Sequence, residues 1–306
     1  MKVCVVGCGA VGSIFAAHLA RAGEAEVYAY DVAKDHVAAI RERGLRLSGA
    51  AEFTAPVKAS TDPNELPKCD YGIVATKSIH TRMAIEKTAH LFSDGGAVCS
   101  VQNGVGNEEI LAEHVRYVIR GTTFPAGHII EPGHVGYDIK GDTWIGPFEP
   151  TGTPMECVKT LADLMNRSGL SVIPLEDARG AQWTKLIFNA STNPVGALTQ
   201  LHHGAATRLP ATGQLFDDLI SEGMAVAAAL GITLHGDPRQ LVQKGASAPG
   251  KHKASMLQDV LAKRQTEVDF MNGAIVKWGE KHGVPTPLNK AMWALIKGLE
   301  HSWTNP

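Results

Sequence analysis

Short apolar runs of strand length alternate with stretches of helical spacing through the first half of the chain, and the alternation stops in the second half. Val3-Cys4-Val5-Val6, Glu26 to Tyr30, Tyr71 to Thr76, Ala97 to Val101 and Arg116 to Ile119 read as strands. Ser13 to Ala20 and Met83 to Phe92 read as helices between them. This order predicts βαβ units and a mostly parallel, doubly wound sheet. Between Ala126 and Gly146 the texture changes to short alternating runs broken by Pro132-Gly133 and Lys140-Gly141-Asp142, which predicts antiparallel strands appended to that sheet. Beyond Asp177 strand patterns vanish. Helix-period segments follow at Ala178 to Asn189, Leu215 to Leu230, Ala254 to His282 and Leu288 to His301, bounded by Pro194, Pro210, Gly231, Pro249 and the Pro285-Thr286-Pro287 stop. The prediction is an α/β chain with a sheet domain over residues 1–175 and an all-helical domain over 176–306.

The first strand runs straight into Gly7-Cys8-Gly9-Ala10-Val11-Gly12, a G-x-G-x-x-G turn, and then into the Ser13 helix. Strand, glycine turn and helix occur in the order of a Rossmann-type dinucleotide-binding unit, where the second glycine lets backbone N–H groups approach a pyrophosphate. The second strand ends at Asp31, close to the spacing of about 20 residues for the acidic residue that binds the adenosine ribose. Gly7, Cys8, Gly9, Ala10, Val11, Gly12 and Asp31 are therefore candidate cofactor-binding positions. In doubly wound sheets ligands sit beyond the carboxyl ends of the strands, so a substrate is expected in a cleft beside the helical domain.

At 306 residues the chain exceeds one typical core and fits two domains. A net charge of −2 gives no electrostatic case for nucleic acid or an anionic membrane. No apolar run reaches the roughly 18 residues of a membrane span, and the N-terminus begins a strand at once, so a cytoplasmic protein is expected. The five cysteines lack C-x-x-C or Cys/His ligand spacing, from which neither a disulfide nor a metal is expected.

Polar residues at strand ends and on the helices carry the candidate chemistry. Lys77 follows the Tyr71 strand and Asn103-Gly104 follows the Ala97 strand, although Asn-Gly also suits a plain turn and Lys77 a solvated surface position. Lys185, Asn189 and Asn193 recur every four residues and form one polar ridge on a helix. Either a solvated face or a site for a carboxylate substrate, with an ammonium proton donor and amide hydrogen bonds, would account for that ridge. Ser255 and Glu267 could line one groove if a single helix joins them, and Glu267 and Asp269 could equally be solvent-facing charges.

Gly7-x-Gly9-x-x-Gly12, Lys77, Asn103-Gly104, Trp183-x-Lys185-Leu186 with Asn189 and Asn193-Pro194, Ser255-Met256-Leu257-Gln258-Asp259, and Thr266-Glu267-x-Asp269 with Asn272-Gly273 occur in this order across nearly the whole chain. Together they resemble the ketopantoate reductase (2-dehydropantoate 2-reductase) family. The resemblance implies a Rossmann domain followed by a helical domain like the C-terminal domain of 6-phosphogluconate dehydrogenase, and a homodimer. It also implies that Lys185 protonates the substrate oxygen, with Glu267 a second catalytic residue. Asn189, Asn193 and Ser255 would hold the substrate's carboxylate and hydroxyl, while Lys77 and Asn103 would lie by the nicotinamide and its ribose, Asn103 also touching substrate. Hydride arriving at a ketone carbon creates a developing alkoxide, which a nearby ammonium both stabilises and protonates.

Family members that prefer NADPH usually carry a basic residue just beyond the second strand, whereas this chain has Asp31-Val32-Ala33. The expectation is therefore an oxidoreductase interconverting a small branched 2-keto acid and its 2-hydroxy acid, with NAD(H) preferred and NADP possible. Its alternatives are an NADPH-linked biosynthetic 2-dehydropantoate 2-reductase, an NAD-linked dehydrogenase of another hydroxy acid or sugar acid, and a nucleotide sensor without turnover.

Overall fold

Alternating and continuous apolar runs fold into strands, and the computed structural model describes them within residues 1–93, 95–247 and 253–304. Chain contacts divide the molecule into two units. The first contains Met1–Gln102 and Asn107–Ala178, and the second Asn103–Gly106 and Arg179–Pro306.

The first unit runs β1 (Lys2–Val6), α1 (Ala10–Ala22), β2 (Glu26–Tyr30), α2 (Lys34–Arg43), β3 (Leu45–Gly49), β4 (Phe53–Ala55), β5 (Lys58–Ser60), β6 (Tyr71–Val74) and α3 (Thr81–Thr88). It continues through β7 (Ala97–Ser100), α4 (Asn107–Ala112), β8 (Tyr117–Thr123), β9 (Ala126–Glu131), β10 (His134–Ile139), β11 (Asp142–Pro147), α5 (Met155–Arg167) and β12 (Ser171–Pro174). Among the described residues these strands form two sheets. The larger has the order β12-β11-β8-β7-β6-β1-β2-β5, parallel throughout except where β11 meets β8. Its central strand β1 is buried on both faces, as its unbroken apolar run requires.

The smaller sheet, β4-β3-β10-β9, corrects the expectation for Ala126 to Gly146. Only β11 joins the main sheet; β9 pairs with β10, and β10 pairs with β3, itself paired to β4, two strands that periodicity did not single out. The cause is α1, whose small, apolar residues are buried between β1 and β2 on one side and β3, β4, β9 and β10 on the other. On the second side His18 meets Phe53 and Tyr137 edge to face at 5.2 and 5.9 Å. A Cβ on Gly127, on β9, would stand 2.3 Å from the Gly136 carbonyl oxygen and 3.3 Å from Ile14 of α1.

The second unit is helical: α6 (Arg179–Thr199), α7 (His203–Arg208), α8 (Pro210–Ala229), α9 (Pro238–Ser247), α10 (Ser255–Leu261), α11 (Asn272–His282) and α12 (Pro287–Ser302). Its core gathers Trp183, Leu186 and Ile187 of α6 with Phe216, Leu219 and Ile220 of α8 and Ile275 of α11. The boundary expected at Pro249 lies outside the described residues. Two expectations need correction. No single helix runs from Ala254 to His282: α10 ends at Leu261, Lys263 takes a φ of 50°, and a single 3-10 turn over Val268–Phe270 precedes α11. Nor does Pro194 end its helix, since α6 continues through it to Thr199.

A proline inside a helix leaves the carbonyl four residues earlier without its donor. Here that carbonyl belongs to Ala190, and the buried Asn272 amide donates to it at 2.8 Å. Asn272→Ala should therefore lower unfolding free energy by about 1–3 kcal/mol, the cost of an unsatisfied buried group. Pro194→Ala, which restores a backbone donor, should shrink that loss. Denaturant melts of the two single variants and the double variant measure it, and equal losses in both backgrounds would sink the assignment.

Among the described residues no helix is long and apolar enough to cross a membrane.

Candidate active site

The glycine turn of the first unit is closed by backbone and carboxylate together. Gly7, at a φ of 89°, donates its N–H to the Tyr30 carbonyl at 2.8 Å, and the Cys8 N–H donates to Asp31 Oδ2 at 2.7 Å. The other Asp31 oxygen accepts the Ala33 N–H at 2.8 Å. Parallel pairing of β1 with β2, with Val6 level with Tyr30, brings the end of β2 to the turn and fixes Asp31 there. Gly9 is the N-cap of α1, and no side chain caps that helix, so its first N–H groups remain available to an anion. Ala10, Val11 and Gly12 form the first turn of α1. A Cβ on Gly9 would meet nothing within 4 Å, whereas one on Gly12 would stand 1.9 Å from the Gly7 carbonyl oxygen. Gly12 thus serves packing, and Gly9 leaves an open cradle of the kind a pyrophosphate needs. Uncapped helix, open cradle and oriented carboxylate fit a dinucleotide.

In the second unit α6 carries the expected ridge, with Lys185, Asn189 and Asn193 on one helix face. The face is not solvated: Asn189 and Asn193 are buried. Lys185 Nζ donates to Asn103 Oδ1 at 2.9 Å, and Asn103 Nδ2 donates to Glu267 Oε2 at 3.2 Å. Burial, the larger effect, pushes the Lys185 ammonium down to about 8, and the Glu267 charge partly holds it up. Glu267 is itself only 3% exposed, so it is no solvent-facing charge. Asn103 comes close because the next residue, Gly104, takes a φ of 83° and passes so near Phe270 that a Cβ would stand 2.3 Å from its carbonyl oxygen. The Asn-Gly pair is therefore both a turn and a source of site chemistry. Asn193 Nδ2 lies 3.8 Å from Met271 Sδ, and Ser255 opens α10, which packs against α6.

Of the residues singled out by sequence, the structure gathers Asn103, Lys185 and Glu267 into one hydrogen-bonded group and Gly7 to Gly12 with Asp31 into another. Lys77 lies in the first unit, immediately before the 3-10 turn Ser78–His80. Sequence reading missed Gln182, whose amide donates to the Gly104 carbonyl at 3.3 Å, and Phe270, whose carbonyl accepts the Val105 N–H at 3.0 Å. Gln182 had a signal, because it lies three residues before Lys185 on the same helix. Phe270 acts through its backbone and had none.

Residues 3–150 match the family described as Ketopantoate reductase PanE/ApbA, and residues 177–300 match its C-terminal counterpart. The 2-dehydropantoate 2-reductase of Archaeoglobus fulgidus is 32% identical over 299 residues, covering 98% of each chain. That of Pyrococcus abyssi is 33% identical over 302 residues, again with 98% of each covered. Among solved structures, a PanE/ApbA family ketopantoate reductase from Ralstonia eutropha superposes with a TM-score of 0.89 at 31% identity over the whole of both chains. D-mandelate dehydrogenase with NADH and anilino(oxo)acetate superposes at 0.91 with 26% identity, covering 99% of this chain and 100% of that one. With this likeness added to the glycine turn and the lysine–asparagine–glutamate group, the chain belongs to the ketopantoate reductase PanE/ApbA family and is an oxidoreductase acting on CH–OH groups with a nicotinamide cofactor.

Proposed function

We propose that this protein reduces a small branched 2-keto acid to its 2-hydroxy acid, with Lys185 as the general acid and NAD(H) as the preferred coenzyme. The carrying observation is Lys185 Nζ, hydrogen-bonded to Asn103 at 2.9 Å and pushed by burial to about 8. An acid of that strength is charged at neutral pH yet gives up its proton readily, which is what protonation of a nascent alkoxide requires. The nicotinamide, when bound, supplies the hydride. Glu267 keeps the ammonium charged until the alkoxide forms, and Asn103 fixes the direction of Nζ by accepting one of its protons. Asn189, Asn193 and Ser255 supply neutral donors for the substrate's carboxylate and hydroxyl.

The curated relatives carry the name 2-dehydropantoate 2-reductase, which makes 2-dehydropantoate the first substrate to offer. A second reading, an NAD-linked dehydrogenase of another 2-hydroxy acid, draws support from Asp31 and from the NADH in the D-mandelate dehydrogenase structure. Steady-state turnover of 2-dehydropantoate against a panel of aliphatic and aromatic 2-keto acids separates the two. The highest kcat/KM should fall on 2-dehydropantoate or a close branched analogue; an aromatic 2-keto acid ranking first would favour the second reading, and no turnover of any 2-keto acid would refute both.

The same proposal divides the glycines. Gly9→Ala should leave the denaturation midpoint unchanged, because nothing lies within 4 Å, and weaken coenzyme binding about tenfold or more by filling the cradle. Gly12→Ala should destabilise the fold by about 1–3 kcal/mol as the Gly7 carbonyl is displaced. Calorimetric coenzyme titration beside denaturant melts reads both, and full coenzyme affinity in Gly9→Ala would remove the pyrophosphate from this turn.

A further inference from the structure

Glu267 sits in a segment that cannot hold its own shape. Between the end of α10 at Leu261 and the start of α11 at Asn272 the backbone makes one 3-10 turn, and an isolated turn of that kind gains little from its own hydrogen bonds. Besides the Val105 N–H on the Phe270 carbonyl, the restraint comes from α12. Glu300 Oε1 accepts both the Thr266 N–H, at 2.8 Å, and the Thr266 hydroxyl, at 2.7 Å. The same hydroxyl oxygen accepts the Val268 N–H at 3.2 Å, so the bond network passes across Glu267 on both sides. Asp269 is held from the same helix, by Trp293 Nε1 at 2.6 Å and Lys297 Nζ at 3.0 Å. Lys297 also pairs with Glu300 Oε2 at 3.0 Å. Trp293, Lys297 and Glu300 stand at i, i+4 and i+7, one face of one helix.

We propose that Glu300, with Lys297 and Trp293, is a positioning element of the catalytic group: it clamps Thr266 and Asp269 so that the intervening Glu267 stays within reach of Asn103 and, through it, Lys185. The proposal rests on the reading of Lys185 and Glu267 given above. None of the three α12 residues need touch substrate. Thr266 is fully buried and the Glu300 side chain is 10% exposed, so water competes poorly for these bonds. A bend of this segment away from Asn103 would carry off the negative charge that supports the Lys185 ammonium. Charged groups around Glu267 among the described residues include Lys185 from α6, Asp269 from the segment itself, and Lys297 and Glu300 from α12.

The test uses Glu300→Ala and Glu300→Gln in the full chain. The glutamine keeps an acceptor for Thr266, whereas alanine removes it. Two readouts are needed: the pH profile of kcat for reduction, and the titration of the Lys185 side chain in 13C-lysine-labelled protein, assigned by its loss in Lys185→Arg. Glu300→Ala should lower kcat about tenfold, leave the KM for coenzyme unchanged, and shift the Lys185 titration down by roughly half a pH unit or more, with Glu300→Gln recovering most of each effect. A merely structural staple would lower the melting temperature without moving the titration, and that outcome in folded Glu300→Ala overturns the proposal. Should the alanine variant not fold, Lys297→Met, at a position 37% exposed, carries the same test, with a smaller downward shift expected and an unmoved titration counting against the clamp. If Lys185 proved not to be the acid, its titration would still report the clamp, so the two failures are separable.

Discussion

Replacing Lys185 by alanine is expected to lower kcat for keto-acid reduction by about 10²–10⁴, the usual worth of a positioned general acid, while coenzyme affinity changes little. The pH dependence gives the same residue a second signature. With Lys185 as the proposed general acid, reduction would need it charged, so its rate should hold below about 8 and decline as pH rises through that value; oxidation of the hydroxy acid would need the neutral amine and should rise over the same interval. Glu267 supports the charged form, so Glu267→Gln should move the declining limb to lower pH as well as reduce turnover. Initial rates of Lys185→Ala with the best substrate decide the matter. Turnover near that of the unaltered protein would show that Lys185 is a lysine held by Asn103 for structure alone.

Coenzyme choice should show the next largest effect: kcat/KM with NADH is expected to exceed that with NADPH by about tenfold to a hundredfold. The Asp31 carboxylate is anchored through both oxygens to the Cys8 and Ala33 N–H groups, and each oxygen keeps a further lone pair that a ribose hydroxyl would use in the proposed NAD(H) complex. Each charge-assisted bond of that type is worth about 1.5–3 kcal/mol. A 2′-phosphate would remove one donor and set about two negative charges against the carboxylate. Lys34 is exposed at the start of α2, and a lone solvated ammonium should not offset that repulsion. Asp31→Ser with Val32→Arg is expected to reverse the preference. Serine retains a short acceptor for the Ala33 N–H, and Val32 is 68% exposed, so an arginine there meets no core. A clear NADPH preference in the unaltered protein would mean that Asp31 serves the turn alone, and would make the NADPH-linked biosynthetic reductase the better reading.

The parts of this protein legible in its sequence are those whose partners lie close along the chain. The strand, glycine turn and helix of residues 2–22 are specified locally, because glycine freedom and helix periodicity act within a few residues. Asp31 follows from one βαβ step, and the ridge of Lys185, Asn189 and Asn193 from the helical repeat alone. Tertiary structure decided the rest. Residues 254–272 contain neither glycine nor proline, so their pattern reads as continuous helix; the break arises because Glu300, 34 positions on, takes the Thr266 N–H that a helix would have used. Pro194 reads as a stop and is kept inside α6 by the Asn272 amide, which caps the Ala190 carbonyl from 82 positions away. The small sheet exists because an all-round apolar α1 must be covered on its second face. Burial sets the acidity of Lys185, and the contact that orients it comes from Asn103, 82 positions earlier. Spacing supplied the residue types of the site; desolvation and long-range hydrogen bonds, which no local pattern encodes, gave those residues their chemistry.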